Sequence, residues 1–410
     1  MLKKGKQLII FLKIVILAFY LSLMTGANTI DESIIYEHID YEYIIIDNEA
    51  SIVGYSGTDA VLQIPSEING HRVTRIAPRA FYEKESIESI VIPESVSYIG
   101  ESAFAFCRGL KALVLSEGLE YIGPSAFMRC VSLNYLTLPN SIVTIEEYAF
   151  AYCMNLWSVS LPENLSRIES YSFMNCGLTT LSIPDSVVSI GEEAFMDNWN
   201  LLTVIMSDNV IEIERAAFSD CRSLTDIKLS ENLTTISFCA ISNCRSLKSI
   251  VLPNKLKTIE ANAFQQSAFL SITIPESVET IQPIAFFASS YLRSVVFYNP
   301  QTTIGERAFV LNPLYPYYFI VFGYESSTAE AFANENGLPF FVIDEYKLDP
   351  VTMIINQDFV THGDTVVDEL PKAPMLINGR TMLPFRYLVE NILGDDNKPR
   401  FCHTWRYSCR

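Results

Sequence analysis

Ala103-Phe104-Ala105-Phe106-Cys107-Arg108-Gly109-Leu110 (AFAFCRGL, 103–110) returns as AFMRCVSL at 126–133 and as AFAYCMNL at 149–156. The same Phe, Cys and Leu recur every 23 residues. Alignment on the Phe extends the phase along the chain. Phe81, Phe104, Phe127, Phe150 and Phe173 are 23 apart, and Phe195 follows after 22. Phe218, Ile241 and Phe264 resume at 23, Phe286 comes after 22, and Phe309 and Phe332 again after 23. Ala precedes this position in every copy except one, where Ser172 stands. A Leu lies six residues after it (Leu110, Leu133, Leu156, Leu201, Leu224), or five at Leu178, where a residue is missing.

A unit this short cannot bury its own apolar face, so the units must stack. The run after each Leu alternates and ends in Pro, as in 133–139 (LNYLTLP) and 247–253 (LKSIVLP). It reads as one short parallel strand per coil, with Pro closing it. Apolar pairs three apart, such as Val96/Ile99 and Leu119/Ile122, follow a turn. The segment around Ala-Phe reads as a helical turn on the opposite side. The expectation is an α/β repeat solenoid of about eleven coils, its parallel ladder roughly 50 Å long at the usual strand spacing.

Cys107, Cys130, Cys153, Cys176, Cys221 and Cys244 occupy the third position after the Phe site, and Asn198 takes it in one copy. Ser267 and Ser289 stand there in others. Exchange among Cys, Asn and Ser fits a small polar group bonded to buried backbone. Disulfides fit poorly, because equivalent Cβ atoms on stacked coils lie about one strand spacing apart, beyond the roughly 3.5–4.5 Å a disulfide needs. A metal cluster fits no better, with no CxxC pair and four histidines (His38, His71, His362, His403) away from the column. The column reads as structural, with no metal and no cofactor. Cys239, Cys402 and Cys409 are off it, and the last two could pair.

The N-terminus has Lys3, Lys4 and Lys6 before an apolar run from Leu8 to Met24, then Thr25-Gly26-Ala27. That is the layout of a secretory signal peptide. The other reading is an uncleaved anchor, but Lys13 leaves only Ile14 to Met24 uninterrupted, short of the roughly 20 residues of a spanning helix. Removal of 1–27 deletes four lysines and no acid, taking the formal net charge from −18 to −22. Such a chain is repelled by nucleic acid and by anionic lipid. The expectation is a secreted protein with no nucleic-acid partner and no transmembrane insertion once the signal is cleaved.

Outward strand positions carry small, hydroxyl or β-branched groups: Tyr135/Thr137, Ser158/Ser160, Thr180/Ser182, Thr203/Ile205 and Asp226/Lys228, with Ser249/Val251, Ser271/Thr273 and Ser294/Val296 beyond. This is the composition of a solvated sheet and also of the extended binding face that solenoids offer. Tyr135, Asp226 and Lys228 are its strongest candidate contacts. Trp157 and Trp199 read as edge packing rather than as a sugar-stacking platform. Acidic pairs such as Glu192-Glu193 fall on turns and read as solvated. No nucleophile, base and orienter converge in the pattern, and HExxH, GxSxG and a phosphate-cradling glycine loop are missing from the sequence. No catalytic residue is expected.

The repeat resembles the BspA or treponemal type of leucine-rich repeat, whose pattern is close to LxxLxLPxxLxxIxxxAFxxCxxL, from about Ile34 to Ile343. Within it, 52–57 (IVGYSG) and 64–70 (IPSEING) resemble the capping hairpin of such arrays, and 327–337 resembles a terminal coil. Residues 373–390 (APMLINGRTMLPFRYLVE) resemble the stalk domain named after the N-terminus of copper amine oxidases, a companion of exported proteins in Gram-positive bacteria. Asp349 to Leu370 look like its leading strand and hairpin. That module implies no oxidase activity. The pattern departs at Gly394, and 395–410 reads as a truncated or frame-shifted end. The chain thus divides into a signal (1–27), a capping hairpin and first coil (28–72), a repeat solenoid with its terminal cap (73–343), and a partial stalk-type module with a divergent tail (344–410). The resemblance implies an adhesin-like surface protein that binds an extracellular protein or glycan, or the bacterial cell wall. The alternative is an envelope spacer with no soluble ligand.

Overall fold

The computed structural model describes residues 36–38, 40–309 and 319–343, together with four strands between 359 and 382. The expected signal segment (1–27) and the divergent tail (395–410, with Cys402 and Cys409) lie outside the described residues. The rest forms two compact units, divided between Leu224 and Thr225.

The first unit opens with antiparallel strands Tyr36–His38, Tyr41–Ile46 and Glu49–Tyr55. Asp47 and Asn48 join the last two with φ of 50° and 67°. Positive φ at both central residues is the type I′ signature, which matches the twist of the flanking strands. Asn69 and Gly70 repeat the device (φ 49° and 84°) between Glu67–Ile68 and His71–Ile76. From Glu49–Tyr55 onward pairing is parallel: it joins His71–Ile76, then Tyr98–Ile99, Tyr121–Ile122 and Thr144–Ile145. Arg167–Ile168, Ser189–Ile190 and Glu212–Ile213 pair in the same way. A second parallel ladder holds Val61–Gln63, Ser89–Val91 and Ala112–Val114, then Tyr135–Thr137 with Ser158–Ser160, and Thr180–Ser182 with Thr203–Ile205. The coils of this unit therefore have two strands where one was expected. The apolar pair after the turn ends in Ile at Ile99, Ile122 and Ile145, buried in register along its own ladder.

The Ala-Phe segment is not a helical turn. Arg79, Phe81 and Glu83 donate their N–H groups to the carbonyls of Glu101, Ala103 and Ala105 on the next coil, at 2.8–2.9 Å. Ala80, Tyr82 and Lys84 turn back three residues within their own coil. A helix would keep all these bonds internal, whereas alternation gives half of them to the neighbouring coil. The geometry requires positive φ two residues before and two after each Phe, as at Arg79 (61°) and Glu83 (59°) and again at Ser102 (53°) and Phe106 (62°). Ala77-Pro78-Arg79-Ala80 has Pro second and positive φ third, the arrangement of a type II turn.

Phe81, Phe104, Phe127, Phe150, Phe173 and Phe195 are fully buried and stack along the unit. Their ring centroids are 4.8–5.7 Å apart with planes within 12°. Full burial of each ring stabilises by about 1.5–3 kcal/mol, and face-to-face contact along the row adds to it.

The second unit repeats the design. Thr235–Ile236, Thr258–Ile259, Thr280–Ile281 and Thr303–Ile304 form one ladder. Ser271–Ile274, Ser294–Phe297, Ile320–Gly323 and Phe340–Val342 form the other. Residues 248–251 stay outside strand geometry, so Ser249 and Val251 do not take the strand positions expected of them. Phe264, Phe286 and Phe309 stack at 5.2 and 4.8 Å. Helix Thr328–Glu335 replaces the turn segment in the terminal coil; Ser327 caps it by accepting from the Glu330 N–H, and Gly337 ends it at φ 64°. Phe359–His362 with Thr365–Glu369, and Met375–Ile377 with Arg380–Met382, are antiparallel hairpins in the region expected to resemble the stalk module.

Candidate functional site

The cysteine column is built by the turn segment. Three residues past each Phe the chain points inward again, and the thiol meets the carbonyl of the Phe on the preceding coil. Cys107 donates to Phe81 O (3.1 Å), Cys130 to Phe104 O (3.3 Å), Cys153 to Phe127 O (3.3 Å) and Cys176 to Phe150 O (3.2 Å). Asn198 donates through Nδ2 to Phe173 O (2.9 Å), and Cys221 donates to Phe195 O (3.5 Å). In the second unit Ser289 makes the equivalent bond to Phe264 O (3.1 Å), and Cys244 is buried. All six column cysteines are buried and outside any disulfide. Burial pushes Cys107 and Cys153 up to about 12 and raises Cys130 and Cys176 well above the usual thiol value. A thiol held protonated is neither a nucleophile nor a metal ligand at neutral pH. Among the described residues no three His, Cys, Asp or Glu side chains converge on a common point.

On the first unit's strand face, Tyr135 and Thr137 flank buried Leu136, and Thr180 and Ser182 flank buried Leu181, all four facing out. Tyr135 is 55 % exposed. Ser160 is exposed, and Ser158 and Thr203 are half-buried. Parallel pairing sets Tyr135 beside Ser158 and Thr137 beside Ser160, and sets Thr180 beside Thr203 and Ser182 beside Ile205. In the second unit Asp226 and Lys228 flank buried Ile227 and are exposed. Ser294 and Val296, expected to face out, are buried at 0 % and 3 %. Val296 packs against Phe322 and Ile343. That strand (SVVF) is covered on both faces, so its apolar run is continuous rather than alternating.

Trp157 and Trp199 are 52 % and 49 % exposed, so about half of each side chain stays covered at the edge of the coils. They stand at the corner where the turn segment passes into the strand. Met154 (50 %) and Leu202 (46 %) join them there. The backbone connects this corner coil to coil: Thr179 N–H donates to Trp157 O (3.1 Å) and Leu202 N–H to Thr179 O (2.8 Å). Sequence reasoning placed no weight on Met154, Leu202 or Gly177. The available signal was the 22-residue spacing, because the coil that lost a residue lost it at this corner.

The acidic turns carry ion pairs. Arg167 bridges Glu169 (3.0 Å) and Glu214 (2.7 Å), and Arg215 meets Glu192 (2.9 Å). Desolvation, followed by the neighbouring Glu192 carboxylate, pushes the Glu193 carboxyl up.

Two parallel ladders of short strands, a fixed inward Leu and a stacked Phe row define a leucine-rich repeat protein. The family described as BspA type leucine rich repeat region (6 copies) matches residues 74–202 and 188–314, more than half of the chain, and the chain belongs to that family. Among solved structures, a leucine-rich repeat protein from Bacteroides ovatus ATCC 8483 is 19 % identical over 78 % of this chain and 100 % of its own, with a TM-score of 0.54. A leucine rich cell surface protein from Faecalibacterium prausnitzii A2-165 is 24 % identical over 67 % of this chain and 98 % of its own (TM-score 0.37). The T. pallidum leucine rich repeat protein is 27 % identical over 52 % and 91 % (TM-score 0.40). No curated protein matches the chain. No described helix is long and apolar enough to cross a membrane.

Proposed function

We propose that this chain is a secreted, surface-associated recognition protein that binds an extracellular protein or glycan through its strand faces, without catalysis. The observation that carries the reading is the row of exposed side chains on the first unit, Tyr135, Thr137, Ser160, Thr180 and Ser182, held on short rigid strands. Small hydroxyl groups around one large aromatic give a flat, hydrogen-bonding surface that requires little side-chain ordering on contact. Asp226 and Lys228 add a charged pair on the second unit's own face. The signal-like N-terminus supports export, and the stalk-like C-terminal segment supports retention at the bacterial wall.

The test titrates the full chain against extracellular matrix proteins, glycans and purified cell wall. Saturable binding to one class, weakened when Tyr135, Asp226 and Lys228 are each replaced by Ala, is the expected result. Uniform failure of a folded chain to bind would leave the envelope-spacer reading in its place.

A further inference from the structure

We infer that the corner notch over Gly177 is a binding site for a neutral glycan, with Trp157 and Trp199 as its stacking surfaces. The proposal rests on the recognition reading above and assigns a ligand class to a place outside the strand face.

The notch follows from the chain's spacing. In most copies two residues separate the inward column residue from the inward Leu, and at Met154-Asn155 and Trp199-Asn200 both are exposed. The intervening coil has only Gly177 between Cys176 and Leu178, and Gly177 is buried. A Cβ there would collide with the carbonyl oxygen of Met154. The shortened coil therefore sets no side chain at this corner between the coils of Met154 and Trp199. The flanking backbones are two coil spacings apart, about 10 Å. One wall carries Met154 and Trp157, the other Trp199 and Leu202, and Thr179 crosses between them.

The tryptophans are held differently. Trp199 Nε1 donates to Asp197 Oδ1 at 3.0 Å, and the Arg222 guanidinium sits over its ring, 5.2 Å from the centroid. Arg222 belongs to the coil after Trp199, so the ring's other face turns toward the coil of Gly177. Trp157 shows no acceptor for its indole N–H among the described residues, which leaves both an apolar face and a donor on offer.

The chemistry selects the ligand. The notch between the tryptophans has an apolar surface of indole, Met154 and Leu202, rimmed by the exposed amides of Asn155 and Asn200 and the Thr179 hydroxyl. The charged groups beside Trp199 already have partners: Asp197 accepts from its indole N–H, and Arg222 pairs with Asp220 at 3.0 Å. A pyranose ring has this pattern in complement, with C–H faces for an indole and an equatorial girdle of hydroxyls for amides. An anionic polymer would also meet a chain of net charge −18 and be repelled. A neutral sugar pays no such penalty.

Tryptophan fluorescence and calorimetry on the full chain, titrated with neutral cello-, chito-, manno- and xylo-hexaoses, test this. The chain has three tryptophans, so removal of one leaves a readable signal. One sugar class should bind saturably. Trp157→Ala and Trp199→Ala should each weaken it about thirtyfold, the loss typical of a central aromatic contact. An Asn inserted between Gly177 and Leu178, restoring the 23-residue spacing, should abolish binding with the fold intact by circular dichroism. Tyr291→Ala, 61 % exposed on the second unit, should change nothing. Failure of all four sugars to saturate, or binding that survives both tryptophan substitutions or the insertion, overturns the site. Binding to an extracellular protein that depends on Tyr135 but not on Trp157 or Trp199 overturns the site and leaves the recognition reading standing. Failure of every ligand overturns both.

Discussion

Asn198 interrupts the thiol column, and replacing it with cysteine should stabilise the protein. Its side chain is fully buried. Nδ2 donates to Phe173 O and Phe195 O, both at 2.9 Å, but Oδ1 meets no partner among the described residues. A buried acceptor left unpaired costs about 1–3 kcal/mol, and a neutral hydrogen bond contributes about 1 kcal/mol. Asn198→Cys removes the stranded carbonyl and keeps the bond across the coils, as Cys176 and Cys221 do on either side. It gives up the bond to Phe195 O, which still accepts from Cys221. The balance is a gain of about 1 kcal/mol. Urea unfolding in reducing buffer, followed by circular dichroism, should show the midpoint moving up by about 0.3–0.5 M at an unchanged slope, taking a slope of about 2–3 kcal/mol/M. A lowered midpoint would refute the reasoning, because the second Nδ2 bond would then outweigh the unpaired acceptor. Asn198→Asp, which buries a charge and removes both donors, should cost at least about 3 kcal/mol in the same assay.

Alkaline pH should unfold the protein early. The column thiols have folded values raised to about 12 at Cys107 and Cys153, against 9.0 for a free thiol, so their stabilisation is complete below pH 9 and lost as pH rises toward 12. These two groups give a loss of about 3 kcal/mol per pH unit over that window, and Cys130 and Cys176, raised by burial as well, act in the same direction; a signal that stays flat to pH 11 under reductant would contradict this. Phe150→Ala, which empties a site stacked at 5.2 and 5.4 Å on its two sides, should cost about 3–5 kcal/mol in a urea titration. Ala288→Gly should instead raise stability by about 0.5–1 kcal/mol, because Ala288 holds φ at 58° with a half-buried methyl to lose; thermal melts of the two chains check the sign.

The 23-residue phase made the stacking, the Phe row and the inward Leu legible, because each depends on a side chain that must point inward in every copy. The thiol column was legible for the same reason: exchange among Cys, Asn and Ser leaves little but a short donor to buried backbone. The turn segment was not. Ala-Phe-Ala-Phe suits a helical turn locally, and the alternation of bonds within and between coils exists only once a second coil is present. The second strand was hidden because a two-residue ladder such as Tyr121–Ile122 is too short to show a period. Ser294 and Val296 looked outward by alternation, and only packing against Phe322 and Ile343 reveals both faces as covered. At the corner, the missing residue at Gly177 was visible as a number, but its meaning lay in the exposed side chains of the coils beside it.

The bond from Cys107, Cys130, Cys153 and Cys176 to a carbonyl 26 positions back has a consequence for how such a chain can change. What a coil offers upward is the same set of groups it accepts from below. In-frame duplication or loss of 23 codons therefore inserts or removes a piece that already fits its new neighbours, and the seam carries no mismatch. Array length becomes a trait that recombination can vary in whole steps, whereas the outward residues drift one codon at a time. Reach and recognition can thus be inherited separately within one gene.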